Sequence, residues 1–138
     1  LRAVCRGFDR CGSGTVLTAQ FLDRMGLKEP TELIPAVYRG PWDRAAIAGM
    51  APLVLAAADA GDAVAVGVVR REAGELAVTA AAAVRNAGLS PAGVPLALAG
   101  GVMLGSDYYR RTFLAALAGQ GVTPGPVLLV PDPAVGAV

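Results

Sequence analysis

The spacing of apolar residues predicts helices over most of the first two thirds of the chain. Apolar side chains recur every three or four positions over residues 15–25, which is one face of a helix, and Gly26 is placed to end it. The same spacing predicts the end of a helix at 1–8 and further helices at 30–37, 43–60 and 63–87. Because Pro52 lies inside the helix at 43–60, we expect a kink there.

The long helix at 63–87 has an apolar stripe that predicts the face packed on a core. The residues of this stripe are Val69, Ala73, Leu76, Ala80 and Val84. Arg71 and Glu75 lie one turn apart on another face and are expected to form an exposed ion pair worth about 0.3 to 0.5 kcal/mol. That face is therefore interpreted as solvated surface.

Two short apolar runs near the end of the chain, 96–99 and 126–131, predict buried strands with a helix between them. Ser106 is placed to cap a helix over 106–118. Its apolar residues recur at helical spacing: Tyr109, Phe113, Leu114 and Leu117. The pattern predicts an α/β chain, mainly helical over 1–90 and strand-helix-strand over 91–138, in a single compact domain.

The charge balance bears on possible partners. Twelve basic and eleven acidic residues give a net charge of +1, and the basic residues are scattered, which argues against nucleic acid as a partner. No continuous apolar stretch reaches the roughly 20 residues of a membrane span, and no signal-peptide core is present. We therefore expect a cytoplasmic protein without a membrane partner.

The cysteines give no clear metal site. Cys5 and Cys11 are the only two, and the chain has no histidine, which excludes histidine-containing zinc sites and leaves too few thiols for a cluster within one chain. We expect reduced cysteines and no metal ligands here. The glycines of 12–14 predict only a loop, because a phosphate-binding P-loop needs a lysine and a preceding apolar strand that they lack.

The first apolar run stops at Gly100 and Gly101, a pattern with two interpretations. A buried strand followed by glycine can bring bare backbone against a base or ribose, because a side chain there would occupy the volume of the ligand. A purely structural turn between a strand and a helix has the same pattern. The local sequence leaves both open.

Motifs along nearly the whole chain, taken in order, resemble one known family. They are LTAQF at 17–21, IAGMAP at 47–52, the AGD break at 60–62 with its long helix, LAGGV at 98–102 and DPAVGA at 132–137. Their order and spacing resemble the C-terminal part of the BadF/BadG/BcrA/BcrD ATPase family, which includes N-acetylglucosamine and glucosamine kinases. The resemblance implies that the chain is the C-terminal part of a larger two-domain enzyme.

The resemblance also implies a fold and a site. The fold is the C-terminal part of a ribonuclease H-like, or actin-like, ATPase domain with a large helical portion. Gly100 and Gly101 match the backbone contacts to the adenosine part of ATP, and Ala48 and Gly49 match the helix that covers the other side of the adenine. In that family an N-terminal half, not present here, binds the phosphates with Mg²⁺ and carries the catalytic aspartate, so no catalytic residue is assigned in this chain.

The activity implied is transfer of a phosphoryl group from ATP to N-acetylglucosamine or glucosamine by a homodimer, with this chain inactive by itself. One alternative is the ATPase activator of a 2-hydroxyacyl-CoA dehydratase or benzoyl-CoA reductase, although Cys5 and Cys11 offer its iron-sulfur cluster poorly placed thiolates. Another is a non-catalytic nucleotide-binding regulator, although no basic helix-turn-helix is evident. Four aromatic residues are either packing anchors or a sugar-stacking or dimer surface: Tyr38, Trp42, Tyr108 and Tyr109.

Overall fold

A computed structural model describes residues 1, 4–5, 7, 12–40 and 42–132. The helices are α1 (Leu17–Met25), a 3-10 turn at Pro30–Glu32, α2 (Leu33–Arg39), α3 (Arg44–Ala48), α4 (Ala51–Asp59), α5 (Ala63–Asn86), α6 (Gly101–Gly105) and α7 (Asp107–Gly119). The strands are β1 (Ala92–Ala99) and β2 (Thr123–Val130). Outside the described residues lie Cys11, part of the predicted helix at 1–8 and residues 133–137 of the DPAVGA motif.

The chain divides into two compact units, Leu1–Val68 and Val69–Val138, with the boundary inside α5. Helices combined with a small parallel sheet are compatible with the predicted α/β class. The actin-like fold, the division at residue 90 and the single-domain organisation stay predictions.

Helix α1 of the first unit ends as the sequence predicts. Gly26 has φ 66°, a left-handed conformation that glycine adopts without a Cβ penalty, and its N–H donates to the carbonyl of Asp23. The apolar face of α1 buries Leu17 and Phe21 and contacts α4. The helix begins at Leu17, two residues after the predicted start.

The predicted single helix at 43–60, with a kink at Pro52, is wrong. The structure has two helices, α3 and α4, separated by Gly49 and Met50. Pro52 lacks the N–H that would donate to the carbonyl of Ala48, so the helical hydrogen-bond series is interrupted after α3. The proline instead lies in the first turn of α4, where its missing donor costs nothing.

Asp62 joins two segments of the first unit. Its carboxylate accepts hydrogen bonds from the Thr15 hydroxyl at 2.9 Å, the Val16 N–H at 3.0 Å and the Ala65 N–H at 2.9 Å. The Ala65 bond caps α5, and the other two hold the loop that precedes α1. Desolvation raises the pKa of Asp62, but these hydrogen bonds outweigh it and hold the pKa below its ordinary value of 3.8.

We expect Asp62→Ala to lower the free energy of unfolding by about 1 to 2 kcal/mol at pH 7, because a cap and the bonds to the Thr15 and Val16 groups are lost. A lowered folded-state pKa contributes stability that is present above the unfolded-state pKa and disappears as pH falls through the folded value. The difference between wild type and Asp62→Ala should therefore shrink below about pH 4.

Urea denaturation at pH 7 and at pH 3 measures this difference. Asp62→Asn is the matched control, since its amide oxygen still caps the helix but carries no charge. A difference between wild type and Asp62→Ala of the same size at both pH values would contradict the role given to the ionised carboxylate.

Helix α5 contributes a mostly alanine face to the core of the second unit, and the predicted stripe is confirmed at Val69, Ala73 and Val84, which are buried, but not at Leu76. Leu76 is 39% exposed, while Ala73, Ala77 and Ala81 are fully buried. The predicted pair of Arg71 with Glu75 is also wrong, because the Arg71 guanidinium pairs with Glu72, with an Nη2 to Oε1 distance of 2.7 Å. Both partners of that pair are exposed, so it contributes little to stability.

The second unit contains a two-stranded parallel sheet in which Leu96 is opposite Val127 and Leu98 is opposite Leu129. One face of the sheet packs on α5 and α7. The buried cluster consists of Ala73, Ala77, Ala81, Val84, Val94, Leu98, Met103, Phe113, Leu117 and Val122. Ser106 and the apolar residues of α7 lie where the sequence predicts them.

Strand β2 is not buried as predicted within the described part of the chain. Val127, Leu128 and Leu129 are 41%, 65% and 42% exposed. Ala97 and Leu128 are opposite each other on the face that points away from Leu98, and we call this face the outer face of the sheet. An apolar run therefore predicted the strand correctly but not its burial.

Candidate functional site

The turn after β1 has a backbone conformation that needs glycine. Gly100 has φ 94° and ψ 152°, a region that is essentially restricted to glycine. Gly101 is the first residue of α6, a five-residue helix where the sequence analysis had predicted no helix. The Leu104 N–H donates to the Gly100 carbonyl at 2.9 Å and closes the first turn of this helix.

The two glycines differ in what the fold requires of them. Both are exposed. A side chain at Gly100 would be strained by the positive φ, whereas a Cβ at Gly101 would have no heavy atom within 4 Å. Packing within the described residues therefore does not require glycine at position 101, and among these residues the space beside it is open.

Ser106 separates α6 from α7. Its side chain is buried, and its hydroxyl accepts the N–H of Tyr109 at 3.1 Å, which confirms the predicted N-cap. The Ser106 N–H donates to the Val102 carbonyl at 3.2 Å. The same residue thus ends one helix and begins the next, which fixes the short connection between them.

Arg110 links the two helices through its side chain. The guanidinium Nη1 donates to the carbonyls of Met103 and Leu104, the latter at 3.0 Å, and Nη2 forms an ion pair with Asp107. We call these contacts the Arg110 clamp. The spacing of Asp107 and Arg110 in the sequence indicates an ion pair on one helix, but the contacts with α6 exist only in the folded chain and could not be predicted.

The two candidate residues of the first unit lie where α3 ends. Ala48 is the last residue of this helix and Gly49 follows it, and both are exposed. A Cβ at Gly49 would lie 3.3 Å from the Ala46 carbonyl oxygen, which is a tight contact with the preceding turn. Their predicted role against adenine stays a prediction, as does the role of Gly100 and Gly101.

The aromatic residues differ in their surroundings. Tyr109 packs against the buried cluster of the second unit, and its pKa is raised by desolvation and by the nearby charge of Glu72, as expected for a packing anchor. Tyr38 is 83% exposed on α2, so packing within the described residues does not explain it.

The described residues contain no group of three or more cysteine, aspartate or glutamate side chains that could hold a metal ion, and Cys5 is a free thiol. Binding of Mg²⁺ stays a prediction, and it concerns the N-terminal half that the resemblance implies. Within the same residues no single helix is long and apolar enough to cross a membrane, although the bent pair Arg44–Asp59 and Ala63–Asn86 together reach that length and composition.

Comparison with known proteins points to sugar kinases. The chain is 30% identical over 113 residues, 82% of its length, to an N-acetylmuramic acid/N-acetylglucosamine kinase of Clostridium acetobutylicum. It spans 37% of the length of that kinase. No protein-family model matches the chain. The similarity supports a relationship to sugar kinases, and the assignment to the BadF/BadG/BcrA/BcrD family stays a prediction.

Proposed function

We propose that this chain is the adenosine-binding part of an ATP-dependent kinase that phosphorylates an N-acetylated amino sugar. The observation that carries the proposal is the exposed turn at Gly100 and Gly101, which follows a strand and is bordered by open space, in a chain similar to a sugar kinase. ATP and the amino sugar are then the partners of the enzyme.

The turn has the chemistry that an adenine and its ribose need. The exposed backbone at Gly100 and Gly101 lets a flat ring approach without meeting a side chain. Glycine at these positions therefore allows close approach of the ligand to the backbone.

In the proposed reaction a sugar hydroxyl attacks the γ-phosphorus of ATP, the bond from that phosphorus to the bridging oxygen breaks, and ADP leaves. The hydroxyl proton passes to a base that we do not assign to any of these 138 residues. Mg²⁺ would neutralise charge on the phosphates. This chain contributes by holding the adenosine part, because phosphoryl transfer depends mainly on positioning and electrostatic stabilisation.

The test measures ATP consumption by the natural-length protein, that is, the longer kinase of which we propose this chain to be a part. The formation of sugar phosphate is followed directly. N-acetylglucosamine, glucosamine and N-acetylmuramic acid are compared as acceptors. Sugar-dependent turnover supports the proposal and identifies the acceptor. ATP hydrolysis that is independent of sugar would contradict it and favour the activator ATPase, which the similarity to a sugar kinase does not favour. The cytoplasmic location and the homodimer stay predictions.

A further inference from the structure

We infer that Arg110 is a positioning residue for the adenosine part of ATP: it holds the turn at Gly100 and Gly101 in its binding conformation through the backbone of α6. The inference rests on the proposed function, because it assigns a role toward the ligand of that same turn. Arg110 need not contact the nucleotide to have this role.

Helix α6 is weak by itself. Five residues form barely more than one helical turn, and such a short helix is unstable in water without tertiary partners. The Arg110 clamp supplies those partners at the C-terminal end of α6, where a cation also interacts favourably with the helix dipole. Together with the buried Met103 side chain, which belongs to the core cluster, the guanidinium therefore fixes the position of this helix.

Two hydrogen bonds connect Arg110 to the turn through Leu104. The Leu104 carbonyl accepts from the Arg110 guanidinium at 3.0 Å, and the Leu104 N–H donates to the Gly100 carbonyl at 2.9 Å. The peptide groups on both sides of Leu104 thus link Arg110 to Gly100. Loss of the guanidinium therefore removes a contact that is only one residue, Leu104, away from the Gly100 carbonyl.

The Arg110 clamp is itself held in place. The Arg110 side chain is 18% exposed, and Asp107 pairs with it one turn earlier on the same helix. Charge-assisted hydrogen bonds of a guanidinium are stronger than neutral ones and fix its orientation. Ser106, which caps α7, holds the backbone from which Asp107 and Arg110 extend.

The experiment compares Arg110→Ala, Arg110→Lys and the matched control Arg111→Ala in the natural-length protein. Arg111 is the exposed neighbour on α7 and makes no hydrogen bond or ion pair within the described ranges. Its replacement by alanine changes the net charge by the same amount as Arg110→Ala but removes no such contact. The readouts are kcat, the KM for ATP, the KM for the sugar, and competition by ADP and by tripolyphosphate, which has no adenosine.

We expect Arg110→Ala to raise the KM for ATP and the inhibition constant of ADP by roughly tenfold. The KM for the sugar and the inhibition constant of tripolyphosphate should stay within about twofold of wild type. Lysine should restore part of the affinity, because it keeps the charge and can donate to one carbonyl. Arg111→Ala should behave as wild type.

A merely structural Arg110 would give another result. If Arg110→Ala lowers the Tm but leaves the ratio of the ADP and tripolyphosphate constants unchanged, the inference is wrong. If the wild-type protein phosphorylates no sugar, the proposed function fails, and ADP binding by calorimetry still tests Arg110. ADP binding that is weakened in Arg110→Ala, less weakened in Arg110→Lys and unchanged in Arg111→Ala supports the inference, and equal binding by all variants overturns it.

Discussion

Replacing Gly101 with valine should raise the KM of the natural-length protein for ATP by roughly tenfold or more and leave the KM for the sugar nearly unchanged. A branched side chain would occupy the open space where the proposed adenosine approaches. No heavy atom lies within 4 Å of a Cβ at this position, so the fold accepts the substitution. Steady-state kinetics with each substrate varied in turn measure both constants.

Gly119→Val is the control for this prediction. Gly119 ends α7, a Cβ there would also meet nothing within 4 Å, and we expect neither Michaelis constant to change. Gly100 is unsuitable for the same test, since its φ of 94° would add backbone strain to any effect on the ligand. An equal rise of both constants in Gly101→Val would count against adenosine at this turn.

Leu117→Ala should lower the free energy of unfolding by about 3 kcal/mol. Leu117 is fully buried in the cluster of the second unit, and alanine there leaves a cavity that the surrounding residues fill only in part. Urea denaturation followed by circular dichroism at 222 nm measures the loss, because helix content reports on both units.

The control is the same substitution at Leu128 on the outer face of the sheet. Leu128 is 65% exposed, so Leu128→Ala should cost less than about 0.5 kcal/mol in this chain. Equal losses of unfolding free energy in Leu117→Ala and Leu128→Ala would contradict the burial of Leu117 in the core of the second unit.

Features that depend on local sequence could be predicted. The end of α1 at Gly26 follows from the preference of glycine for positive φ, and the start of α7 follows from the hydroxyl of Ser106 within reach of a free N–H. The long helix α5 was predicted over 63–87 and ends at Asn86, because its period extends over many turns. In each case neighbouring residues determine the outcome.

Features that depend on tertiary contacts could not be predicted. A proline pattern does not distinguish a kinked helix from a new helix that begins before Pro52. The choice between the Leu76 and Ala77 faces of α5 is made by what packs on the helix, and alanines let the sheet and α7 approach closely. The apolar run in β2 could not reveal how much of it is covered.

The candidate site divides in the same way. Glycines after an apolar run predict a turn, and the structure adds that Gly100 needs its conformation while Gly101 borders open space. The short helix α6 could not be predicted, because the Arg110 clamp stabilises it from a different element. A hydrogen bond from a side chain on one helix to a backbone carbonyl on another helix has no signature in a single sequence.

The outer face of the sheet affects how the chain behaves at high concentration. Ala97 and Leu128 present an apolar surface, and the two strands leave edges that can pair with strands of other molecules. A net charge of +1 supplies little electrostatic repulsion between chains near neutral pH. We therefore expect the chain by itself to associate as its concentration rises, and its binding isotherms should be measured in dilute solution, where light scattering checks for a single species.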